Sequence, residues 1–168
     1  MKKMPKAKTK SKFKPVAKTK GQKSYETGVN LENRVAKWLT SQFGYSCKKR
    51  VLVRGKVSKR PYEIDVHAQR KGLLNQNDLW VECKAHRAKR IHITKFVETA
   101  IDVKDANNDG IEEYYPDLLM LVSDKGFDID AIQMADKYDI YCVNAGKTFE
   151  FVGKMDREDF ENRETSEY

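Results

Sequence analysis

A chain of 168 residues with 39% hydrophobic content can bury one modest core, so a single domain is the expected unit. Its three cysteines, Cys47, Cys83 and Cys142, are odd in number, widely spaced and without a CxxC pair, which excludes a disulfide framework and a zinc ribbon. The formal charge of +8 hides a gradient: residues 1–24 carry +10, residues 25–95 another +10, and residues 96–168 carry −12.

Residues 1–24, with ten lysines and no acid, cannot bury enough surface to offset the entropy of ordering, and read as a disordered, Lys-rich tail. Order is expected from Tyr25, giving a folded domain over 25–153. Leu31, Val35, Trp38 and Leu39 follow a helical period between Asn30 and Phe43, and Gly44 is placed to close that helix. Tyr45–Val53 reads as a strand. Tyr62–Ala68 and Asp78–Lys84 read as a hairpin around Arg70–Asn77, with Tyr62, Ile64, Val66 and Ala68 on one face. A second helix is expected from Thr94, as N-cap, to Asp105. The run Leu118–Val122 reads as a strand covered on both sides, then come a helix over Asp128–Tyr138, a strand over Ile140–Val143 and an edge strand over Thr148–Val152. Residues 154–168 read as a polar, frayed tail. The sum is an α/β fold, a mixed sheet flanked by helices. There is no apolar run of about 18 residues, so no membrane contact is expected, and a reduced, cytoplasmic setting is consistent.

The chemistry concentrates on the hairpin. A symmetric antiparallel register sets Asp65 opposite Glu82 and Glu63 opposite Lys84. Facing carboxylates repel and carry a desolvation cost, which a cation or a matched lysine resolves. Hard oxygen ligands favour Mg²⁺ or Mn²⁺ over zinc. The plainer alternative is that Asp65, Glu82 and Lys84 are charges on the solvated face of a hairpin. Lys48, Lys49, Arg50, Arg54, Lys56, Lys59 and Arg60 precede this site, and Arg87, Lys89 and Arg90 follow it. Such basic loops suit DNA backbone phosphates, with affinity that falls as salt rises.

Glu32 on a first helix, Ile64-Asp65 on a second strand and Glu82-Cys83-Lys84 on a third, then helix, strand, helix, strand, resembles the PD-(D/E)XK, or restriction-endonuclease-like, nucleases. Within that superfamily the chain is most similar to the Mrr-like endonucleases and the archaeal Holliday-junction resolvases. The resemblance covers about Tyr25 to Asn144. It implies an αβββαβ core with an extra helix and strand, and a Mg²⁺-dependent endodeoxyribonuclease in which Mn²⁺ substitutes. Asp65 and Glu82 would ligate the metal with the Cys83 carbonyl as a third oxygen, and Glu32 would reach it through water. Lys84 would orient or deprotonate the attacking water. The proline expected directly before the metal-binding aspartate is displaced, since Pro61 lies four residues before Asp65 and Ile64 is adjacent to it.

Three accessory residues follow from the same reading: Glu63 as a partner for Lys84, His67 as a phosphate contact or an ordinary sheet histidine, and Lys95 as a further polar residue of the site. Family members commonly dimerise, which implies a homodimer. Two other readings share these residues, a Holliday-junction resolvase acting on branched DNA and a DNA-binding protein that keeps the fold without turnover.

Overall fold

The computed structural model describes residues 18–71 and 76–162. Its elements are α1 (Lys20–Phe43), β1 (Ser46–Val53), β2 (Tyr62–Lys71), β3 (Gln76–Lys84), α2 (Arg90–Asn108), β4 (Leu118–Ser123), α3 (Ile129–Lys137), β5 (Tyr141–Ala145), β6 (Phe149–Val152) and α4 (Arg157–Asn162). The strands form one mixed sheet in chain order. β1, β2 and β3 run antiparallel, β3, β4 and β5 run parallel, and β6 returns antiparallel to β5. Parallel neighbours need crossovers, and α2 and α3 supply them.

Two cores follow from this layering. Leu31, Val35, Trp38 and Leu39 of α1 pack against Val66, Ala68, Leu79, Val81, Met120 and Val122 on one face of the sheet. On the other, Ile93, Phe96 and Val97 of α2 and Ala131 and Ala135 of α3 cover Trp80 and Leu121. β4 feeds both cores in strict alternation, as a strand buried on two sides must.

The helices are longer at their starts than their apolar stripes imply. α1 begins at Lys20 because Thr19 and Gln22 close a capping box: the Gln22 N–H donates to Thr19 Oγ1 at 3.3 Å and the Thr19 N–H to Gln22 Oε1 at 2.9 Å. Residues 20–24 of the expected tail are therefore helical, and residues 1–17 lie outside the described residues. α2 begins four residues before Thr94, whose hydroxyl donates to Arg90 O at 3.2 Å inside the helix and caps nothing. The C-terminal expectation also needs correction. Met155 and Phe160 are buried, and Phe160 meets Phe43, Tyr45 and Tyr141 at ring centroid distances of 5.0, 5.9 and 5.0 Å, so α4 is part of the core. Residues 163–168 lie outside the described residues.

The hairpin register is the expected one from Val66↔Val81 to Lys71↔Gln76, but the ladder stops before Asp65. The β1–β2 ladder is interrupted at the same level, pairing Lys49 with Val66 and Val51 with Ile64 and skipping Arg50 and Asp65. Arg50 adopts a left-handed φ of 55°, a conformation that costs a non-glycine residue about 1–2 kcal/mol. Both strands turn over there. Val66 and Ala68 face α1, whereas Ile64 and Tyr62 face α2, so the four residues expected on one face divide between two.

Candidate active site

The turnover at Asp65 delivers the two acids to one place. Asp65 Oδ2 accepts the Cys83 N–H at 2.7 Å, which ties β2 to β3 by side chain where the backbone ladder has ended. Glu82 flanks that residue on one side and Lys84 on the other, and Lys84 Nζ donates to Glu82 Oε1 at 2.6 Å. Burial, followed by the Glu82 charge, pushes the Asp65 carboxyl up to about 7; the Cys83 N–H opposes that shift and the Glu32 charge adds to it. Burial pushes the Cys83 thiol up as well, and the three surrounding acids reinforce it.

Glu32 is almost fully buried and is committed elsewhere. Its oxygens accept Arg50 Nε at 3.2 Å and Nη2 at 3.3 Å, while Arg50 Nη1 donates to Tyr25 Oη at 3.0 Å. The guanidinium also lies 5.0 Å from the Tyr25 ring centre. Arg50, expected on DNA, is thus turned inward, where its ion pair with Glu32 offsets the strained φ.

A cavity of about 230 Å³ opens beside Glu82 and Lys84 under α2, with Glu63, His92, Lys95 and Thr99 on its rim. Lys95 is therefore brought to the site. Glu63 reaches the same cavity, but the partner of Lys84 is Glu82 rather than Glu63. His67 is not at the site: it is buried, with Nε2 3.0 Å from Asp78 Oδ1 and its ring 4.8 Å from that of Tyr114. Trp80 forms the cavity's apolar wall, edge-on to Phe96 at 5.6 Å.

His92 also lines this cavity. Its Nδ1 accepts the Lys89 N–H at 2.9 Å, so in the neutral ring Nε2 carries the proton. Burial and the nearby Lys84 charge lower its pKa and favour that neutral form. The spacing of His92, Lys95 and Thr99 at i, i+3 and i+7 was the available signal, but it counts only if the helix starts at Arg90.

The remaining basic candidates divide into two groups. Lys56 pairs with Asp109 at 2.9 Å, Arg87 with Asp128 at 2.7 Å, and Lys49 bonds Asn33. Lys48, Arg54, Lys59, Arg60, Lys89 and Arg90 are exposed and form no ion pair among the described residues.

As a cation site the arrangement is partly assembled. Among the described residues no three His, Cys, Asp or Glu side chains are grouped to hold one ion. Asp65 and Glu82 nevertheless fit a hard cation: both are oxygen donors, each uses one oxygen in the bonds above, and burial beside the Glu82 charge raises the Asp65 carboxyl, a cost that a cation would offset.

No family model and no curated protein matches this chain. A crystal structure of a protein of unknown function, AF1548, is similar, with a TM-score of 0.54 and 21% identity over 69% of this chain and 56% of that one. The likeness shows the fold: a mixed six-stranded sheet flanked by helices, in a chain that spans little more than half the length of its neighbour. No helix among the described residues is long and apolar enough to cross a membrane.

Proposed function

We propose that the protein is a Mg²⁺-dependent endodeoxyribonuclease of the PD-(D/E)XK type, acting on DNA as a homodimer. The observation that carries this reading is the convergence of Asp65, Glu82 and Lys84 at the end of β3, beside a cavity rimmed by His92 and Lys95. Asp65 and Glu82 would hold Mg²⁺ or Mn²⁺, with the Cys83 carbonyl as the third protein oxygen. The cation would supply charge against the phosphate and acidify water.

The chain's own residues supply the rest. Lys84, paired with Glu82 at 2.6 Å, would direct its ammonium at the attacking water and the phosphoryl oxygen. Water oxygen bonds to phosphorus in line as its proton passes to solvent, and the P–O3′ bond breaks, the 3′ oxygen taking a proton from solvent to leave a 5′-phosphate and a 3′-hydroxyl. Lys95 donates to a non-bridging oxygen, where negative charge grows, and His92 Nε2–H joins it on leaving His86 Nε2, its neighbour at 3.4 Å. Glu32 acts from one step back, since its pair with Arg50 holds the turn that aims Asp65.

Plasmid nicking tests the reading. The parent should nick supercoiled DNA with Mg²⁺ and stop on addition of EDTA, and Asp65→Ala and Lys84→Ala should each abolish nicking. Activity unchanged in both variants rejects this site. A parent that binds DNA without nicking it under Mg²⁺ or Mn²⁺ favours the DNA-binding protein without turnover.

A further inference from the structure

We propose a second nucleic-acid contact in the cleft at the carboxyl ends of β4 and β5: Lys125 and Lys147 hold backbone phosphates of the strand that passes Lys84, and Asn144 accepts a hydrogen bond from the same nucleotide. The proposal rests on the nucleic-acid reading above, but not on turnover.

The cleft measures about 760 Å³ and is bounded by Arg87, Asp124, Lys125, Gly126, Asn144 and Lys147. β3, β4 and β5 are parallel, so their carboxyl ends lie at one end of the sheet, where open α/β sheets place their binding crevices. Lys84 closes β3 at that same end, and its carbonyl accepts the Asp124 N–H at 2.9 Å. Two strand spacings, about 10 Å, separate β3 from β5, a distance within reach of adjoining nucleotides.

The charges of the cleft are unequally committed. Asp124 is neutralised by Arg34 Nη1 at 3.1 Å, and Arg34 Nη2 also donates to Ala145 O at 2.9 Å and Gly146 O at 2.6 Å, which fixes the floor. Arg87 is held by Asp128 at 2.7 Å and by Phe127 O at 2.9 Å. Lys125 and Lys147 are exposed and have no ion-pair partner among the described residues, which leaves two cations at the mouth. Glu150, which accepts from Thr148 at 3.3 Å, is the acid on the far wall.

Asn144 narrows the ligand class. Its Oδ1 is buried without a hydrogen-bond partner among the described residues, beside Gly126, where an added Cβ would lie 3.6 Å from it in ordinary contact. An amide oxygen left in that state costs about 1–3 kcal/mol. A bare anion cannot relieve it, having no hydrogen to donate. A nucleotide whose approach turns the amide outward can, because it carries phosphate oxygens for the lysines and base amino hydrogens for Asn144.

Anisotropy of a short fluorescein-labelled DNA duplex, titrated in EDTA over a range of salt, isolates binding from cleavage. Lys125→Glu with Lys147→Glu should weaken binding roughly tenfold or more and reduce the slope of log K against log salt by about 2. Lys104→Glu with Lys137→Glu makes the same charge change at the opposite end of the parallel strands and should leave that slope intact. Asn144→Ala should weaken binding without changing the slope. Equal losses in the two charge-reversed pairs would overturn the inference, as would a parent that does not bind the duplex. If the cleft variants lose binding while the parent shows no nicking with Mg²⁺, the cleft stands and the nuclease reading falls. If the parent nicks DNA and the cleft variants bind and nick as it does, only the cleft falls.

Discussion

Asp65 on β2 and Asp102 on α2 are both carboxylates beside that strand, and the protein treats them in opposite ways. Asp102, on α2, accepts the Val57 N–H at 2.7 Å, the Ser58 N–H at 3.2 Å and the Tyr62 hydroxyl at 2.9 Å. Burial alone would raise its carboxyl, but these donors outweigh burial and hold it below the usual carboxylate range. Asp65 receives one N–H and faces Glu82, and its carboxyl rises to about 7. A carboxylate used to fasten a loop is saturated with donors. One left short of donors beside a second carboxylate fits a site meant for a cation.

Replacing each aspartate by asparagine separates the two roles most sharply. Asp65→Asn should lower DNA nicking by about a thousandfold or more, the scale expected when a metal ligand and its electrostatic stabilisation are lost. Asp102→Asn should leave nicking within about twofold of the parent. If both variants nick alike, the contrast has no functional meaning.

Acidity gives the next largest effect. Asp65 binds its proton more tightly folded than unfolded, so the folded chain holds more protons as pH rises from the usual carboxylate range towards 7, and stability falls over that window. The loss is at most about 4 kcal/mol for a shift of this size, and it is complete by about pH 8, once the folded carboxyl has also lost its proton. In EDTA the parent's Tm should therefore drop between pH 4.5 and pH 7.5, and Asp65→Asn should flatten that part of the profile. At pH 7.5, millimolar Mg²⁺ or Mn²⁺ should restore the parent's Tm and leave the variant's unchanged, since only binding to the native state stabilises it. A parent whose Tm rises with pH across this range would refute the assignment of Asp65 as the strained acid.

Much of this arrangement is written in local sequence. The alternation Leu79, Val81, Cys83 against Trp80, Glu82, Lys84 sets the hairpin register, because a slip of one residue would put Trp80 and Leu79 on the wrong sides. The order of helices and strands follows from apolar periods of the same kind. What sequence does not carry is the turnover at Asp65. Strict alternation puts Ile64 and Val66 together, and only the left-handed Arg50, held by Glu32 and Tyr25 from α1, sends them to opposite faces. That device is tertiary, and no spacing within β2 announces it. The starts of α1 and α2 are hidden differently: the first turn of α1 is polar and rests on the Thr19–Gln22 capping box, whereas α2 carries Ile91 and Ile93 in its first turn but is capped at Lys89, a residue type that gives no N-cap signal. Placing α2 late also concealed that His92, Lys95 and Thr99 share one face of it.

The smallest effect concerns the fastened side of the comparison. Gly55 is buried against Asp102: a Cβ there would fall 1.9 Å from Asp102 Oδ2 and 2.8 Å from the Tyr62 ring. Alanine at this position must push the carboxylate away from Val57, Ser58 and Tyr62, so Gly55→Ala should cost about 1–3 kcal/mol through overpacking and broken hydrogen bonds. Asp102→Ala removes the same bonds and opens room, at about 1–2 kcal/mol. Because both changes act through one carboxylate, the double variant should be less destabilised than the sum, with a coupling of about 1 kcal/mol in urea unfolding. Strict additivity would mean that the loop yields to the new methyl without moving Asp102. The carboxylate would then merely cover the loop between β1 and β2, and would not be what holds it in place.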